Sequence, residues 1–188
     1  MSKKIAVLVG SLRKESFNRK IAKALINIAP KTLEMELIDI SQLPIYNQDD
    51  DEGSNIPKAW TTFRDEIKKY DGVLFVTAEY NRSVPAVLKN AIDVGSRPYG
   101  KSVWDGKPGA IVSASPGAIG GFGANHHLRQ SLVFLNVPCM QMPEAYISNV
   151  ANLIDKDGNI NPSTTEFLGK FIKSFELWVN LIVPMKVH

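Results

Sequence analysis

Ile5-Ala6-Val7-Leu8-Val9-Gly10-Ser11-Leu12-Arg13-Lys14-Glu15-Ser16-Phe17-Asn18 is the stretch that decides how this chain folds. Five consecutive apolar residues suit a strand covered on both faces, and Gly10 closes it. Beyond Asn18, Ile21, Leu25 and Ile28 recur at helical spacing over residues 18–28, ahead of Pro30. The stretch therefore reads as strand, short polar loop, helix, with the polar residues concentrated where the strand ends.

That loop holds what a phosphate monoester needs: hydroxyls at Ser11 and Ser16, an amide at Asn18, the planar fork of Arg13 and the start of a helix. It lacks the G-x-G-x-x-G of a dinucleotide turn and the G-x-x-x-x-G-K-[ST] of a triphosphate loop. A mononucleotide with a terminal phosphate, such as FMN, suits it. The competing reading is an ordinary βα loop whose Ser and Asn merely cap a helix.

Outward from this unit the alternation repeats. Residues 34–40 alternate polar and apolar, as an edge strand does, and residues 44–57 form a solvated acidic loop without EF-hand spacing. Ile56, Trp60, Phe63 and Ile67 mark a second helix, and residues 73–76 form a continuously apolar third strand. Pro85 opens a third helix through Leu88, Ala91 and Ile92, and residues 109–113 are a fourth strand. Leu128, Leu132 and Leu135 mark a fourth helix, residues 139–147 hold a weaker strand signal, and residues 163–182 form a long helix. Its stripe of Phe167, Phe171, Phe175, Trp178 and Ile182 reads as core packing.

Five strands alternating with helices give an α/β fold, a flavodoxin-like three-layer sandwich with a five-stranded parallel sheet in the order 2-1-3-4-5. No linker or repeat divides residues 1–188, so a single domain is expected. In that order the loops after strands one, three and four converge where the strand order reverses. After strand three, Ala78, Glu79, Tyr80, Asn81 and Ser83 offer a flat aromatic surface and hydrogen-bonding groups. After strand four, Ser113, Ala114, Ser115 and Gly117 lead into glycines that let backbone approach a flat ring. Gly121-Phe122-Gly123 begins a dinucleotide pattern, but His126 occupies its last glycine position.

Composition narrows the function further. With 44% hydrophobic and 22% charged residues and a dispersed net charge of +3, no nucleic acid is indicated. No apolar run approaches the ~18 residues of a membrane span, and no secretory leader is visible, so a cytoplasmic location is expected. The single Cys139 reads as buried and inert, and the adjacent His126 and His127 as surface residues that do not share a metal, so no metal site is expected. No nucleophile, acid or base stands out, as expected where a flavin carries the redox chemistry.

The loop from Gly10 to Asn18, Glu79-Tyr80-Asn81 with Ser83 and Pro85, Leu88-Lys89-Asn90-Ala91-Ile92-Asp93 and His127-Leu128-Arg129-Gln130 together resemble the NAD(P)H-dependent FMN reductases, including bacterial chromate and quinone reductases. The resemblance spans nearly the whole chain. It implies noncovalent FMN and two-electron, ping-pong reduction of acceptors by NADH or NADPH. Quinones are the leading acceptors, with chromate, metal ions and azo compounds as alternatives. No catalytic side chain is implied, because flavin N5 carries the hydride. It further implies that the phosphate lies on Ser11, Leu12, Arg13, Ser16, Phe17 and Asn18, and the ring near Ala78, Glu79, Tyr80, Asn81, Ser83, Ser113, Ala114, Ser115 and Gly117. A homodimer or homotetramer is implied, with Tyr80, Arg129 and Glu144 around its contacts. Three residues depart from the family pattern: Ala78 replaces a common Pro, Val94 a common aromatic and Arg82 a smaller or aromatic residue. The last two are expected near the acceptor pocket. The rival readings are a flavodoxin-type single-electron carrier, against which the basic charge balance tells, and a flavin-free nucleotide-binding module or dehydrogenase of similar topology.

Overall fold

The computed structural model describes residues 2–53 and 55–183. Strands β1 (Lys3–Gly10), β2 (Leu33–Ile38), β3 (Gly72–Thr77), β4 (Gly109–Ala114) and β5 (Ala145–Ile147) form one parallel sheet in the order β2-β1-β3-β4-β5. The helices are α1 (Phe17–Ile28), α2 (Gln48–Glu52), α3 (Lys58–Ile67), α4 (Ala86–Gly95), α5 (Phe122–Phe134) and α6 (Pro162–Ile182).

Alternation along the strands divides the core in two. Ile5, Val7, Val9, Leu74 and Val76 face α1 and α6 through Ile21, Leu25, Phe171 and Phe175. Ala6, Leu8, Val73, Phe75 and Ile111 face Trp60, Phe63, Leu88, Trp104 and Leu128 on the other side. Burying each large side chain contributes about 1.5–3 kcal/mol, so the continuously apolar β1 and β3 are stable only between two helical layers. The stripe on α6 is core, with Phe171 and Phe175 buried and Trp178 donating its indole N–H to the Pro138 carbonyl at 2.8 Å.

Three expectations needed correction. The acidic loop is not wholly solvated. It contains α2, capped by the Asn47 side chain, and within it Asp51 is buried. Asp51 accepts two hydrogen bonds from Arg64, at 2.7 and 2.8 Å, while Arg64 Nε donates to the Val94 carbonyl at 2.8 Å. Val94 is itself fully buried in the core beside Trp104, so it is a packing residue and not part of an acceptor pocket. The fifth strand is also shorter than the apolar signal. The chain bonds to the start of β4 at Gly109, leaves it, and pairs again only over Ala145–Ile147.

The register positions the functional end. Gly10 pairs with Thr77, and Thr77 with Ser113, so β1, β3 and β4 end at one level. The loops that follow therefore leave the sheet side by side. Gly10 itself must lack a side chain, since a Cβ there would sit 2.9 Å from Thr77 Oγ1 and 3.1 Å from Leu88 Cδ2.

Candidate functional site

A crevice of about 310 Å³ opens over these three strand ends, lined by Ser11, Arg13, Ser16, Phe17, Asn18, Ala78, Glu79, Tyr80, Ala114, Ser115 and Pro116. At its β1 wall Ser16 caps α1, its Oγ accepting the Arg19 backbone N–H at 3.2 Å. Such a cap contributes about 1 kcal/mol and leaves the Ser16 hydroxyl hydrogen available to donate. The first turn of α1 adds unpaired N–H groups and the positive end of its dipole. Arg13 is exposed and forms no hydrogen bond or ion pair among the described residues.

Asn18 carries the most direct sign of a ligand. Its Nδ2 donates to the Ala114 carbonyl at 3.1 Å, which fixes the amide orientation and ties the β1 loop to the β4 loop. Its Oδ1 is buried without a hydrogen-bond partner. An orphaned buried acceptor costs about 1–3 kcal/mol. Beside a wall suited to a phosphate, it calls for a hydroxyl donor. FMN offers both on one chain, a terminal phosphate and the ribityl hydroxyls next to it, so the residues fit that group.

The β3 wall is built differently from an ordinary helix cap. Tyr80 and Ser83 exchange backbone hydrogen bonds at 3.1 and 2.9 Å, with Asn81 at φ 50° and Arg82 at φ 64° between them. Two successive left-handed residues make a tight reversed turn of the type that joins hairpins. Asn81 thus serves the turn rather than capping α4. Glu79 accepts the Ala124 backbone N–H on Oε2 at 3.0 Å, and Arg82 stands 3.6 Å from its Oε1. Glu79 therefore binds the turn to the start of α5. This approach requires Gly123: a Cβ there would lie 2.7 Å from the Arg82 carbonyl oxygen and 2.9 Å from Glu79 Oε2.

Not every residue expected at the site lines the crevice. Leu12 turns toward Val9 and Leu37 on the β2 side, and Ser83 bonds His127 Nδ1 at 3.0 Å. Asn81 is exposed at the turn, and Gly117 lies on the outside of the β4 loop. Ser113 is fully buried, donating to the Ala145 carbonyl and accepting from Asn125, which ties β4, β5 and α5 together. Pro116, between Ser115 and Gly117 in the expected segment, completes the wall. The two histidines have separate partners, since His126 Nε2 meets the Tyr146 hydroxyl at 2.9 Å. Among the described residues no three His, Cys, Asp or Glu side chains converge as a metal site.

A larger groove of about 520 Å³ lies between β2 and α3, with Glu36, Asp39 and Glu66 on its rim. β2 ends and α3 begins along it, but its charged lining is mostly acidic, with Lys58 as the one cation, so the chemistry of a phosphate points to the smaller crevice.

Cys139 takes no part. Burial pushes its thiol up to about 11, against a smaller opposing effect of Arg129. At pH 8 only about one thiol in a thousand is then ionised. Labelling by a thiol reagent should be slow in the folded protein and fast in urea; equal rates would contradict this burial.

The sheet order, the crevice at its switch point and the orphaned Asn18 acceptor define a flavodoxin-like protein built for a mononucleotide. The chain belongs to the family described as NADPH-dependent FMN reductase, whose model matches residues 3–152. It is 61% identical over 177 residues to a quinone reductase of Pseudomonas putida, covering 94% of this chain and 95% of that one. It is 47% identical over 180 residues to a 2-hydroxy-1,4-benzoquinone reductase of a Burkholderia species, covering 95% and 97%. Among solved structures it superposes on FerB, the flavoenzyme NAD(P)H:(acceptor) oxidoreductase of Paracoccus denitrificans. That match has a TM-score of 0.88 and 41% identity, covering 96% of this chain and 98% of that one. Family membership makes the chain an FMN-dependent, NAD(P)H-consuming oxidoreductase and favours that reading over the electron carrier.

Proposed function

We propose that this protein is a quinone reductase in which one crevice serves NAD(P)H and acceptor in turn. The overall reaction is NAD(P)H + H⁺ + quinone → NAD(P)⁺ + hydroquinone. One hydride leaves the nicotinamide, and the quinone takes up two electrons and two protons. FMN, when bound, supplies the two-electron carrier between them. The observation that carries the reading is the Asn18 Oδ1 orphan beside a wall of Ser11, Arg13 and Ser16, a pairing that matches a phosphate with a neighbouring hydroxyl.

In this reading Arg13, Ser11, Ser16 and the first turn of α1 would hold the FMN phosphate, with Phe17 in the same wall. Asn18 Oδ1 accepts a ribityl hydroxyl. The backbone of Ala78, Glu79 and Tyr80 and that of Ala114, Ser115 and Pro116 flank the ring. Glu79 acts through its bond to Ala124, holding the turn after β3 against the start of α5. The names of the two curated relatives support a quinone as acceptor.

The whole chain, residues 1–188, acts as one FMN-binding domain in the cytoplasm; none of the described helices is long and apolar enough to cross a membrane. It works as a homodimer or homotetramer. The exposed Phe122, Val133 and Phe134 of α5 support this.

With NADPH and a quinone varied together, initial-rate plots should be parallel, the signature of a substituted-enzyme sequence. Intersecting plots would mean that donor and acceptor bind at once, and would remove the shared-crevice reading.

A further inference from the structure

We propose that Asn125, on α5 and outside the crevice, is a positioning residue: through Ser113 it locates the β4 wall relative to the β3 wall, and so sets how the flavin ring sits for hydride transfer. The inference rests on the placement of the ring between those two walls.

The buried stripe of α5 is Ala124, Asn125, Leu128 and Leu132. Core packing alone favours an apolar residue at position 125, yet the residue there is a fully buried amide. Such a group is tolerated only with its hydrogen bonds made. Arg129 Nε donates to Asn125 Oδ1 at 3.1 Å, and Arg129 Nη1 is itself fixed on the Met140 carbonyl at 3.1 Å. A guanidinium only donates, so the amide oxygen must face Arg129 and the amide nitrogen must face away from it. On that side Nδ2 donates to Ser113 Oγ at 3.3 Å and to the Ala145 carbonyl at 3.5 Å. Arg129 therefore aims the Asn125 donors at the end of β4.

Two consecutive residues of one helical turn thus reach both walls. The Ala124 N–H holds Glu79 of the β3 wall, and Asn125 holds Ser113, which leads directly into Ala114, Ser115 and Pro116 of the β4 wall. His127 adds a second hold on the β3 turn through Ser83 at 3.0 Å. The approach of α5 to Ser113 is close enough to need Gly121, at φ 78°, where a Cβ would lie 3.0 Å from Ser113 Cβ. From the opposite side Asn18 Nδ2 fixes the Ala114 carbonyl at 3.1 Å. The start of the β4 wall is therefore held between Asn18 and Asn125, and α5 carries its position across to the β3 wall. A displacement of about 1 Å in such a frame can cost on the order of a hundredfold in rate.

The test titrates the apoproteins of wild type, Asn125→Leu, Ser113→Ala and the double variant with FMN and with riboflavin, then follows reduction of the bound FMN by NADPH in stopped flow. Asn125→Leu should bind both flavins roughly fivefold more weakly or worse, as the loss of a buried hydrogen bond implies, because the two walls grip the ring that both flavins share. The visible absorption band of the bound ring should shift. The limiting rate of reduction should fall about tenfold or more, with little change in the half-saturating NADPH concentration. Ser113→Ala, a smaller change, removes the same link from its other end and should reproduce these effects. The double variant should be no worse than Asn125→Leu alone, the non-additivity expected of residues acting through one contact.

Affinities and limiting rate within twofold of wild type with an unshifted band, whatever the Tm, would make Asn125 a packing residue and overturn the assignment. So would effects of the two substitutions that simply add, or a loss confined to FMN, which would place the influence of Asn125 at the phosphate. Should Asn125→Leu fail to fold, Ser113→Ala decides alone by the same measurements. If wild type binds neither FMN nor riboflavin, the flavin site itself fails and the proposal falls with it. If wild type binds both and the variants behave like it, the site stands and only the role of Asn125 falls.

Discussion

The Arg13→Ala variant should bind FMN roughly 10- to 150-fold more weakly than wild type, the loss of a charge-assisted bond of about 1.5–3 kcal/mol. Arg13 lines the crevice, is exposed and has no protein partner among the described residues, so its removal breaks no fold contact. Riboflavin, which has the ring and hydroxyls but no phosphate, provides the control. Titration of the apoprotein, followed by quenching of flavin fluorescence, should show the loss for FMN and almost none for riboflavin. Equal losses for both flavins would place Arg13 elsewhere on the ligand, and no loss for either would remove the phosphate assignment.

The largest stability effect is expected at a distance from this crevice. Asp51→Ala should destabilise the protein by about 3–5 kcal/mol, because it leaves the Arg64 guanidinium buried without its carboxylate. The side chains of Asp51 and Arg64 are only 3% and 7% exposed, so solvent does little to screen the pair. Arg64 also reaches the carbonyl of Val94, so one guanidinium fastens α2, α3 and the end of α4. For a chain of this size the change corresponds to a fall in Tm of about 6–20 °C, measured at a fixed FMN concentration. A double variant, Asp51→Leu with Arg64→Met, removes both charges and should recover part of the loss. A shift of less than about 2 °C in Asp51→Ala would show that water reaches the pair and that the loop opens in solution.

These two residues differ in how far the sequence revealed them. Arg13 stood in a short polar loop between an apolar run and a helical repeat, and its neighbours made its chemistry readable locally. Asp51 stood in a run of four acidic residues, Asp49 to Glu52, where three side chains do face water and one does not. Nothing local separates them. The choice is made by Arg64, thirteen residues away and on another helix.

The same contrast runs through the candidate site. Ser11, Ser16 and Asn18 were legible because a strand-loop-helix unit constrains its own loop. Glu79 was picked out, but its bond to Ala124, 45 residues on, was not visible. Ser113 sits at the expected strand end, but strand alternation and its partners Asn125 and Ala145 turn its hydroxyl into the protein. Val94 was assigned to the acceptor pocket by resemblance alone, and packing placed it in the core.

What the sequence by itself determined is the series of strands and long helices, the parallel order of the sheet and the polar loop after β1. Periodicity, apolar runs and turn residues act over a few neighbours, and the βαβ connection leaves few topologies open. Tertiary structure alone decided three things: the common level at which β1, β3 and β4 end, the buried Asp51–Arg64 pair and the joint between Glu79 and α5. Each depends on atoms brought together from distant parts of the chain. Strand register and the partners of buried charges are selected by the free energy of the whole packed core, where a polar group must find a partner or leave.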